Sequence, residues 1–322
     1  MTSNARARIA VVGSGYMGGG IAQVFILAGH PCVIADSTAE LARTSVARLV
    51  EEANDFEEQG LFPSGSAETI SGSLQFAETI EDAVADADYI TEAVPERADL
   101  KKDVLFRISR VTRANAIIAS NTSAMPIEEL ASAVQLPERF LGVHWMNPAP
   151  FVPCVELIRS SFTNDAATEF AEDLIRSLGK VTCLVPDQTG FVANRLQYAL
   201  FQEASRMVEE GAATPKLIDQ VVSNSFGFRL PFFGPFATAD MAGLDVYAGG
   251  YESFSKAYGG RFATPKILTE RTQAGDLGLK TGGGFTEMDS SRLKEIVEYR
   301  NRAYSLLSQL KRDLGPVPGM TE

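Results

Sequence analysis

The segment from residue 9 to residue 36, IAVVGSGYMGGGIAQVFILAGHPCVIAD, constrains the fold more than any other part of the chain. It opens with an apolar run, residues 9–12, that is typical of a strand buried on both faces. Three spaced glycines follow, then an apolar helix predicted over residues 17–28 and a second short strand over residues 32–35. This order of elements predicts a βαβ unit in a parallel sheet.

The spacing of the glycines Gly13, Gly15 and Gly18 indicates a dinucleotide site. The first glycine makes the tight turn, the second lets the backbone approach a pyrophosphate, and the third lets the helix pack closely on the strand. Asp36 ends the second strand, where a carboxylate accepts hydrogen bonds from the adenosine ribose hydroxyls and repels a 2′-phosphate. The sequence therefore predicts binding of NAD rather than NADP.

Composition limits the class of protein. The chain has 322 residues, 45% of them hydrophobic, which is enough to build two cores. Its net charge of −12 argues against nucleic acid and anionic membrane surfaces as partners. The three cysteines lack metal-binding spacing, and residues 1–10 lack the apolar core of a signal peptide or membrane span. These features predict a cytoplasmic globular protein without a bound metal.

Short apolar strands alternate with helices through the first half of the chain. Three further strands are predicted, at residues 88–91, 116–119 and 140–143. Polar clusters follow each of them, at residues 92–96, 120–123 and 144–148. Because the carboxyl ends of parallel strands meet at one edge of a sheet, we expect these clusters to form a ligand site.

The strand pattern ends near residue 187. Two more strands are predicted at residues 151–157 and 181–185, and prolines ahead of the first predict that it lies at a sheet edge. Beyond residue 187 the pattern is helical, beginning with an amphipathic segment at residues 190–210. We therefore predict a Rossmann-type α/β domain with a doubly wound parallel sheet over residues 1–187, and an all-α C-terminal domain over residues 188–322.

His144 is the strongest candidate for chemistry, because the other histidine, His30, lies at a predicted helix C-terminus where a structural role suits it. Glu156 stands in an otherwise apolar run, VPCVELI, where an unpaired charge costs about 2 to 5 kcal/mol, so it needs a partner. A histidine backed by a carboxylate can take an alcohol proton while a hydride leaves the same carbon for a nicotinamide.

Several motifs, taken in order, resemble the 3-hydroxyacyl-CoA dehydrogenase family. They are GSGYMG, Asp36, AVPE, SNTS, GVHWMNPAP, VEL and GFVANR, followed by GPFATADMAGLD and GLKTGGGF in the predicted helical domain. The matches run over essentially the whole chain. The resemblance implies NAD-dependent oxidation of a 3-hydroxy group to a ketone on a small-molecule substrate, and a C-terminal domain that forms a homodimer.

The resemblance also implies roles for residues at the reacting centre. His144 matches the family's catalytic histidine and Glu156 matches its carboxylate partner. Ser123 and Asn194 match the polar residues that hold the substrate oxygen. The further residues on the substrate side are Asn147 and Trp145.

On the cofactor side, the resemblance implies a larger set of residues. They are Gly13, Gly15, Tyr16, Met17, Gly18, Asp36, Glu96 and Lys101. Structural alternatives stay open for three of the implied site residues. Ser123 could cap the helix that follows it, Asn194 could be one polar position on an amphipathic helix, and Lys101 could be a surface side chain.

Two features depart from family members that act on CoA thioesters. Those members carry basic residues for the nucleotide phosphates after the second strand, whereas residues 49–96 contain thirteen Asp and Glu and no Lys or Arg. Trp145 also places an indole next to His144, where the resemblance leads us to expect a smaller ring. Both features favour a small CoA-free hydroxy acid, as in the gulonate, carnitine and pyridine-carboxylate branches, although a solvated acidic face would explain the charge equally well.

Three other functions are alternatives. The first is oxidation of 3-hydroxybutyryl-CoA itself. The second is a crystallin-like structural protein that keeps the NAD-binding fold without useful turnover. The third, a lysine-dependent enzyme of the 3-hydroxyisobutyrate type, is disfavoured because Asn194 stands where that chemistry needs a lysine.

Overall fold

The computed structural model describes residues 6–319. Residues 1–5, half of the segment predicted to be neither a signal peptide nor a membrane span, lie outside the described residues. The chain divides into two compact units, one ending at Phe201 and the other beginning at Gln202. The proposed domain boundary after residue 187 precedes this division and stays a prediction.

The first unit is built on an eight-stranded sheet. Its strands are β1 (Ile9–Val12), β2 (Cys32–Ala35), β3 (Leu74–Phe76), β4 (Tyr89–Glu92), β5 (Ile117–Ser120), β6 (Phe140–Trp145), β7 (Cys154–Ile158) and β8 (Val181–Val185). They lie in the order β3-β2-β1-β4-β5-β6-β7-β8. The chain changes direction across the sheet at β1, which pairs with β2 on one side and β4 on the other. This strand order confirms the predicted fold class, a doubly wound Rossmann-type sheet. Sheets of this kind bind ligands at the point where the strand order reverses.

One pair of strands differs from the rest, because β6 and β7 run antiparallel while the other neighbours are parallel. The prediction that the strand after the prolines lies at the sheet edge is wrong, since β7 pairs with both β6 and β8. Its prolines, Pro148, Pro150 and Pro153, all precede Cys154, so none removes an N–H from the ladder. The edge strand on this side is β8.

Helices cover both faces of the sheet. In the first unit they are α1 (Tyr16–Leu27), α2 (Ala39–Glu58), α3 (Ser66–Ser73), α4 (Ile80–Val84), α5 (Ala98–Val111), α6 (Ile127–Ala131) and α7 (Asp165–Ser177), with a 3₁₀ turn at Pro137–Arg139. Polar side chains start several of them: Thr38 accepts from the N–H of Leu41, and Asn164 accepts from the N–H of Ala167.

Two separate cores lie on the two faces of the sheet. One contains Leu141, Val143 and Trp145 of β6, while the other contains Phe140 of the same strand. This alternation follows from the two-residue period of a strand. His144 therefore faces the side of the sheet opposite to Trp145.

The second unit is helical, as predicted. Helix α8 (Ala193–Glu209) spans the division, and α9 (Pro215–Asn224), α10 (Phe226–Arg229), α11 (Pro235–Ala242), α12 (Leu244–Tyr258), α13 (Lys266–Gln273) and α14 (Leu293–Leu314) follow, with 3₁₀ turns at Gly259–Phe262 and Ser290–Arg292. Buried Asp240 holds the glycine-rich segment after α13, because its carboxylate accepts from the N–H groups of Phe285 and Thr286 at 3.0 and 2.7 Å. Among residues 6–319, no helix is both long and apolar enough to cross a bilayer.

Candidate active site

The turn between β1 and α1 has the geometry that its glycines predict. Gly13 has φ of +102°, and a Cβ there would lie 2.6 Å from the backbone of Ala93. A Cβ on Gly18 would lie 1.9 Å from the carbonyl oxygen of Gly13. At Gly15, by contrast, a Cβ would meet no atom within 4 Å. The chain's own packing does not require a glycine at that position, which fits the close approach of a bound pyrophosphate to the first N–H groups of α1.

The two other predicted residues of this turn differ in exposure. Tyr16 begins α1 and its side chain is 60% exposed, so the ring is free to contact a ligand at this helix terminus. Met17 is partly buried and packs against the core on the α1 face of the sheet.

Asp36 lies at the end of β2, beside the glycine turn. Its Oδ2 accepts from the N–H of Ser14 at 2.7 Å and from the hydroxyl of Ser14 at 2.6 Å, and its Oδ1 accepts from the N–H of Ser37 at 2.6 Å. Partial burial acts to raise the pKa of Asp36, but these hydrogen bonds outweigh it and hold the pKa below its usual range. A negative charge therefore stands at the predicted ribose position at neutral pH.

Replacing Asp36 with Ser should relax the preference for NAD over NADP. The variant removes a carboxylate that would lie next to a 2′-phosphate, so the ratio of kcat/KM with NADP to kcat/KM with NAD should rise about tenfold or more. Steady-state kinetics with both cofactors measures the ratio, and Asp86→Ser, a change at an exposed acid elsewhere in this unit, is the control. An unchanged ratio would contradict the ribose role.

His144 and Glu156 face each other across the antiparallel pair β6 and β7. His144 Nδ1 lies 2.9 Å from Glu156 Oε2, and the two side chains are 5% and 3% exposed. The predicted pair is thus in direct contact, in a setting from which water is nearly excluded. The antiparallel register places both side chains on the same face of the sheet.

The second oxygen of Glu156 is held by the start of α8. Oε1 accepts from the N–H of Ala193 at 2.9 Å and from the N–H of Val192 at 3.1 Å. Burial acts to raise the pKa of Glu156, but the hydrogen bonds from His144 and from these two N–H groups give a net lowering of its pKa. The positive end of the helix dipole also favours the charged carboxylate. Glu156 is therefore ionised beside His144.

Phe191 is a residue that sequence reasoning missed. It has φ of +48°, which is uncommon for a non-glycine residue, and its ring is buried 5.6 Å from the His144 ring. It immediately precedes the two N–H groups that bind Glu156. Phe191 lies in the GFVANR motif, but no local periodicity indicates that its ring packs beside His144.

The predicted substrate residues Ser123 and Asn194 are brought together. Asn194 Nδ2 donates to the carbonyl oxygen of Ser123 at 2.9 Å, so the main chain of one anchors the side chain of the other. Ser123 does not cap α6, because the N–H groups of Ile127 and Glu128 donate to Asp187. Asp187 acts from 60 residues away in the chain, which is why no local pattern indicated it.

Asn147 and Trp145 take opposite positions after His144. Asn147 is exposed where β6 ends, whereas Trp145 is 2% exposed and its ring lies 6.0 Å from that of Phe25 in the core. The prediction that Trp145 contacts substrate beside His144 is therefore corrected, because consecutive strand residues face opposite sides of the sheet. The end of β6 is held by Asn121, whose Oδ1 accepts a hydrogen bond from the backbone N–H of Trp145 at 2.9 Å.

Lys101 links buried Glu92 to Glu96, whose side chain is 39% exposed. Lys101 is 1% exposed, and its Nζ lies 2.7 Å from Glu92 Oε1 and 3.3 Å from Glu96 Oε2. The surface alternative for Lys101 is therefore wrong. Glu96 Oε1 in turn accepts from the hydroxyl of Thr122 and the N–H of Ser123 at 2.6 and 2.8 Å. Lys101 thus holds Glu96 against the loop that carries Ser123.

Comparison with known proteins identifies the family of the chain. The family model for the NAD-binding domain of 3-hydroxyacyl-CoA dehydrogenase matches residues 8–188, and the model for its C-terminal domain matches residues 190–288. A 5-formyl-3-hydroxy-2-methylpyridine 4-carboxylate 5-dehydrogenase of Mesorhizobium japonicum is 36% identical, over 91% of this chain and 94% of that one. A probable 3-hydroxybutyryl-CoA dehydrogenase of Deinococcus radiodurans is 34% identical, over 86% and 99%.

A solved structure extends the likeness to three dimensions. The crystal structure of a 3-hydroxyacyl-CoA dehydrogenase from Archaeoglobus fulgidus superposes with a TM-score of 0.78 at 32% identity, covering 94% of this chain and 99% of that one. The likeness thus extends over nearly the whole length of both chains. The chain belongs to the 3-hydroxyacyl-CoA dehydrogenase family and is an NAD-dependent oxidoreductase that acts on a CH–OH group.

Proposed function

We propose that the chain oxidises the hydroxyl group of a small, CoA-free hydroxy acid to a ketone, with His144 as general base and Glu156 as its partner. The observation that carries this proposal is the buried 2.9 Å contact between His144 Nδ1 and Glu156 Oε2. Burial of a carboxylate together with a titratable ring costs free energy, and a purely structural protein has no need of such a pair. The crystallin-like alternative does not account for the pair.

The proposed proton path follows from the position of the ionised Glu156. Its carboxylate only accepts hydrogen bonds, so the neutral imidazole of His144 carries its proton on Nδ1 and keeps a lone pair on Nε2. Nε2 then takes the proton of the substrate hydroxyl, and the imidazolium forms beside a negative charge that stabilises it. NAD, when bound, accepts the hydride from the same carbon.

Ser123 and Asn194 are proposed to hold the oxygen on which this proton resides. The contact between Asn194 Nδ2 and the Ser123 carbonyl keeps both residues in one place at the end of β5. Asn147, exposed after β6, is proposed as a further substrate contact. Groups placed before the reaction stabilise a developing charge without the cost of reorganisation.

The charge of the surface supports a substrate without CoA. Eight acidic residues of the 49–96 interval are exposed: Glu51, Asp55, Glu58, Glu68, Glu78, Asp82, Asp86 and Glu96. Arg48, the nearest preceding cation, is engaged by Glu52 and by the carbonyl oxygen of Ser14. The phosphates of a CoA nucleotide would meet repulsion on α2 and α3. The relative from Mesorhizobium japonicum is named for a pyridine carboxylate, a small acid whose name includes no CoA.

A paired substrate panel tests the proposal. NADH formation is followed by absorbance with 3-hydroxybutyryl-CoA on one side and with free 3-hydroxybutyrate, carnitine, gulonate and pyridine-ring alcohols on the other. We expect turnover with a CoA-free compound and little with the thioester. Turnover with the thioester alone would overturn the CoA-free assignment and make the acidic interval a solvated face.

A 3-hydroxybutyryl-CoA dehydrogenase is the second candidate, and the 34% identity to the relative from Deinococcus radiodurans favours it. Such an enzyme needs cationic side chains from outside residues 49–96 to bind the nucleotide phosphates. Salt dependence separates the two candidates, because attraction between phosphates and basic residues weakens with ionic strength while a small monoacid loses less.

We also propose a homodimer formed through the second unit. Its helices carry many exposed apolar side chains, among them Val246, Leu306 and Leu314 at 61%, 62% and 75% exposure. Its buried apolar cluster is small, consisting of Ala239, Leu244 and Leu268. Light scattering after size exclusion measures the mass, and a monomer at micromolar concentration would overturn this proposal.

A cytoplasmic location is proposed as well. All three cysteines, Cys32, Cys154 and Cys183, are free, and free thiols are typical of a reducing compartment. Cell fractionation tests the location.

A further inference from the structure

We propose that Lys180 is a positioning residue whose ammonium acts as an internal cation, fixing the connection between β6 and β7 (residues 146–153) so that His144, Glu156 and Asn147 keep their relative places. The expected effect on turnover rests on the proposed function. The ammonium site itself is argued from contacts alone.

The three donors of the Lys180 ammonium match three main-chain acceptors. Nζ donates to the carbonyl oxygens of Ala149 at 2.6 Å, Pro150 at 3.1 Å and Val152 at 2.9 Å. An ammonium has three N–H donors and no acceptor, so these contacts use its full capacity. Lys180 is 9% exposed.

The connection makes a turn of its own, in which the N–H groups of Phe151 and Val152 donate to the carbonyl oxygen of Pro148 at 3.1 and 3.0 Å. Pro148, Pro150 and Pro153 lack the N–H groups that a helix or a strand ladder would require. The carbonyl oxygens of Ala149, Pro150 and Val152 take their donor from another element. Lys180 supplies three, and the N–H of Val181 adds a fourth by donating to Pro153 at 2.9 Å. The start of β8 thus closes the connection between the two strands of the catalytic pair.

Burying a cation in this place requires compensation. Burial lowers the pKa of Lys180, so its charged form depends on the surrounding dipoles. The three carbonyl dipoles provide one part, and the face of Trp145, whose ring centre lies 5.7 Å from Nζ, provides another. This contact gives Trp145 a place in the support of the site, from the opposite side of the sheet to His144. Trp145 is also the single tryptophan of the chain, so its emission reports on Lys180 directly.

A cavity of about 580 Å³ opens beside Lys180. Its walls include the apolar side chains of Val24, Leu27, Phe62, Pro150, Phe151 and Leu178. A small alkylammonium can lie with its chain along such walls and its head among the three carbonyl oxygens. Propylammonium matches the three methylenes and the amine that a change from Lys to Ala removes.

The test combines Lys180→Ala with propylammonium rescue. We expect kcat/KM for the hydroxy substrate to fall roughly 10- to 100-fold, because small misplacements of reacting groups cost that much, while the Kd for NADH stays unchanged. Trp145 emission should shift in the variant. Propylammonium should restore both activity and emission saturably, whereas tetramethylammonium, which has no N–H donor, should restore neither. Lys102→Ala, a change at a more exposed lysine paired with Glu129, is the control.

Each outcome decides the proposal. Wild-type activity and emission in Lys180→Ala would overturn it, as would a folded variant with losses that propylammonium does not reverse. If Lys180→Ala does not fold, Lys180→Gln is measured instead, with reduced kcat/KM and shifted emission expected and wild-type values contradicting the inference. If the wild type oxidises no hydroxy substrate, the proposed function fails, while recovery of the Trp145 emission still decides the ammonium site.

Discussion

Replacing His144 with Gln is expected to lower kcat by about 10²- to 10⁴-fold, the usual contribution of a general base. Glutamine has similar bulk and can still hydrogen-bond to Glu156, but it has no lone pair basic enough to take the hydroxyl proton. The glycine turn and Asp36 are untouched, so the Kd for NADH should remain unchanged. Stopped-flow or steady-state kinetics measures kcat, and fluorescence titration measures NADH binding.

His30 provides a matched control for this experiment. Its Nδ1 lies 3.2 Å from the carbonyl oxygen of Ala7, on a structural contact away from the pair. His30→Gln should leave kcat within a small factor of the wild type. Normal turnover in His144→Gln would remove the histidine from the proposed chemistry.

Replacing Glu156 with Gln is expected to lower kcat by about 10²-fold or more. The amide oxygen can still accept from His144 Nδ1, but it carries no charge to stabilise the imidazolium. The two N–H groups of Val192 and Ala193 also lose a charged acceptor at the start of α8. Since hydrogen bonds to charged groups contribute about 1.5 to 3 kcal/mol each, we expect a measurable fall in the free energy of unfolding at neutral pH.

The stability difference between the wild type and Glu156→Gln should depend on pH in a defined direction. The folded-state pKa of Glu156 is lowered, so its stabilising effect is fully present above the unfolded-state pKa, about 4.3. The effect is lost as the pH falls through the lower folded-state pKa. Urea unfolding across the acid range should therefore show the two proteins converging at low pH.

An exposed glutamate serves as the control for this pH series. Glu68 lies on α3, and Glu68→Gln should follow the wild type at every pH. A constant difference between Glu156→Gln and the wild type throughout the acid range would contradict the ionised, hydrogen-bonded state of Glu156. Unchanged kcat in the same variant would contradict its role beside His144.

Local patterns predicted much of the fold. The bounds of β1, β2 and β8 agree with the prediction residue for residue. These elements are bounded by glycine, proline or capping residues and have a clear apolar period, so neighbouring residues suffice to specify them. The NAD-binding turn was predictable for the same reason, because all its parts lie within one short segment.

Elements with weak local signals were not predicted. The short strand β3 and the helices α3 and α4 lie within the acidic interval, where few apolar residues mark a period. The predicted edge position of β7 was wrong because the prolines lie in the connection before the strand and remove no N–H from its ladder. The substrate role of Trp145 was wrong because adjacency in sequence places two strand residues on opposite faces.

The sequence by itself determined that this chain builds a strand, a glycine turn and a helix for NAD, and it predicted His144 and Glu156 as the candidates for the chemistry. Only the tertiary structure decided how they meet. The contact between His144 and Glu156 depends on the antiparallel pairing of β6 with β7, and the N–H groups that hold Glu156 come from the start of α8. Periodicity is a property of near neighbours, whereas these contacts join segments that only the packing of the sheet brings together.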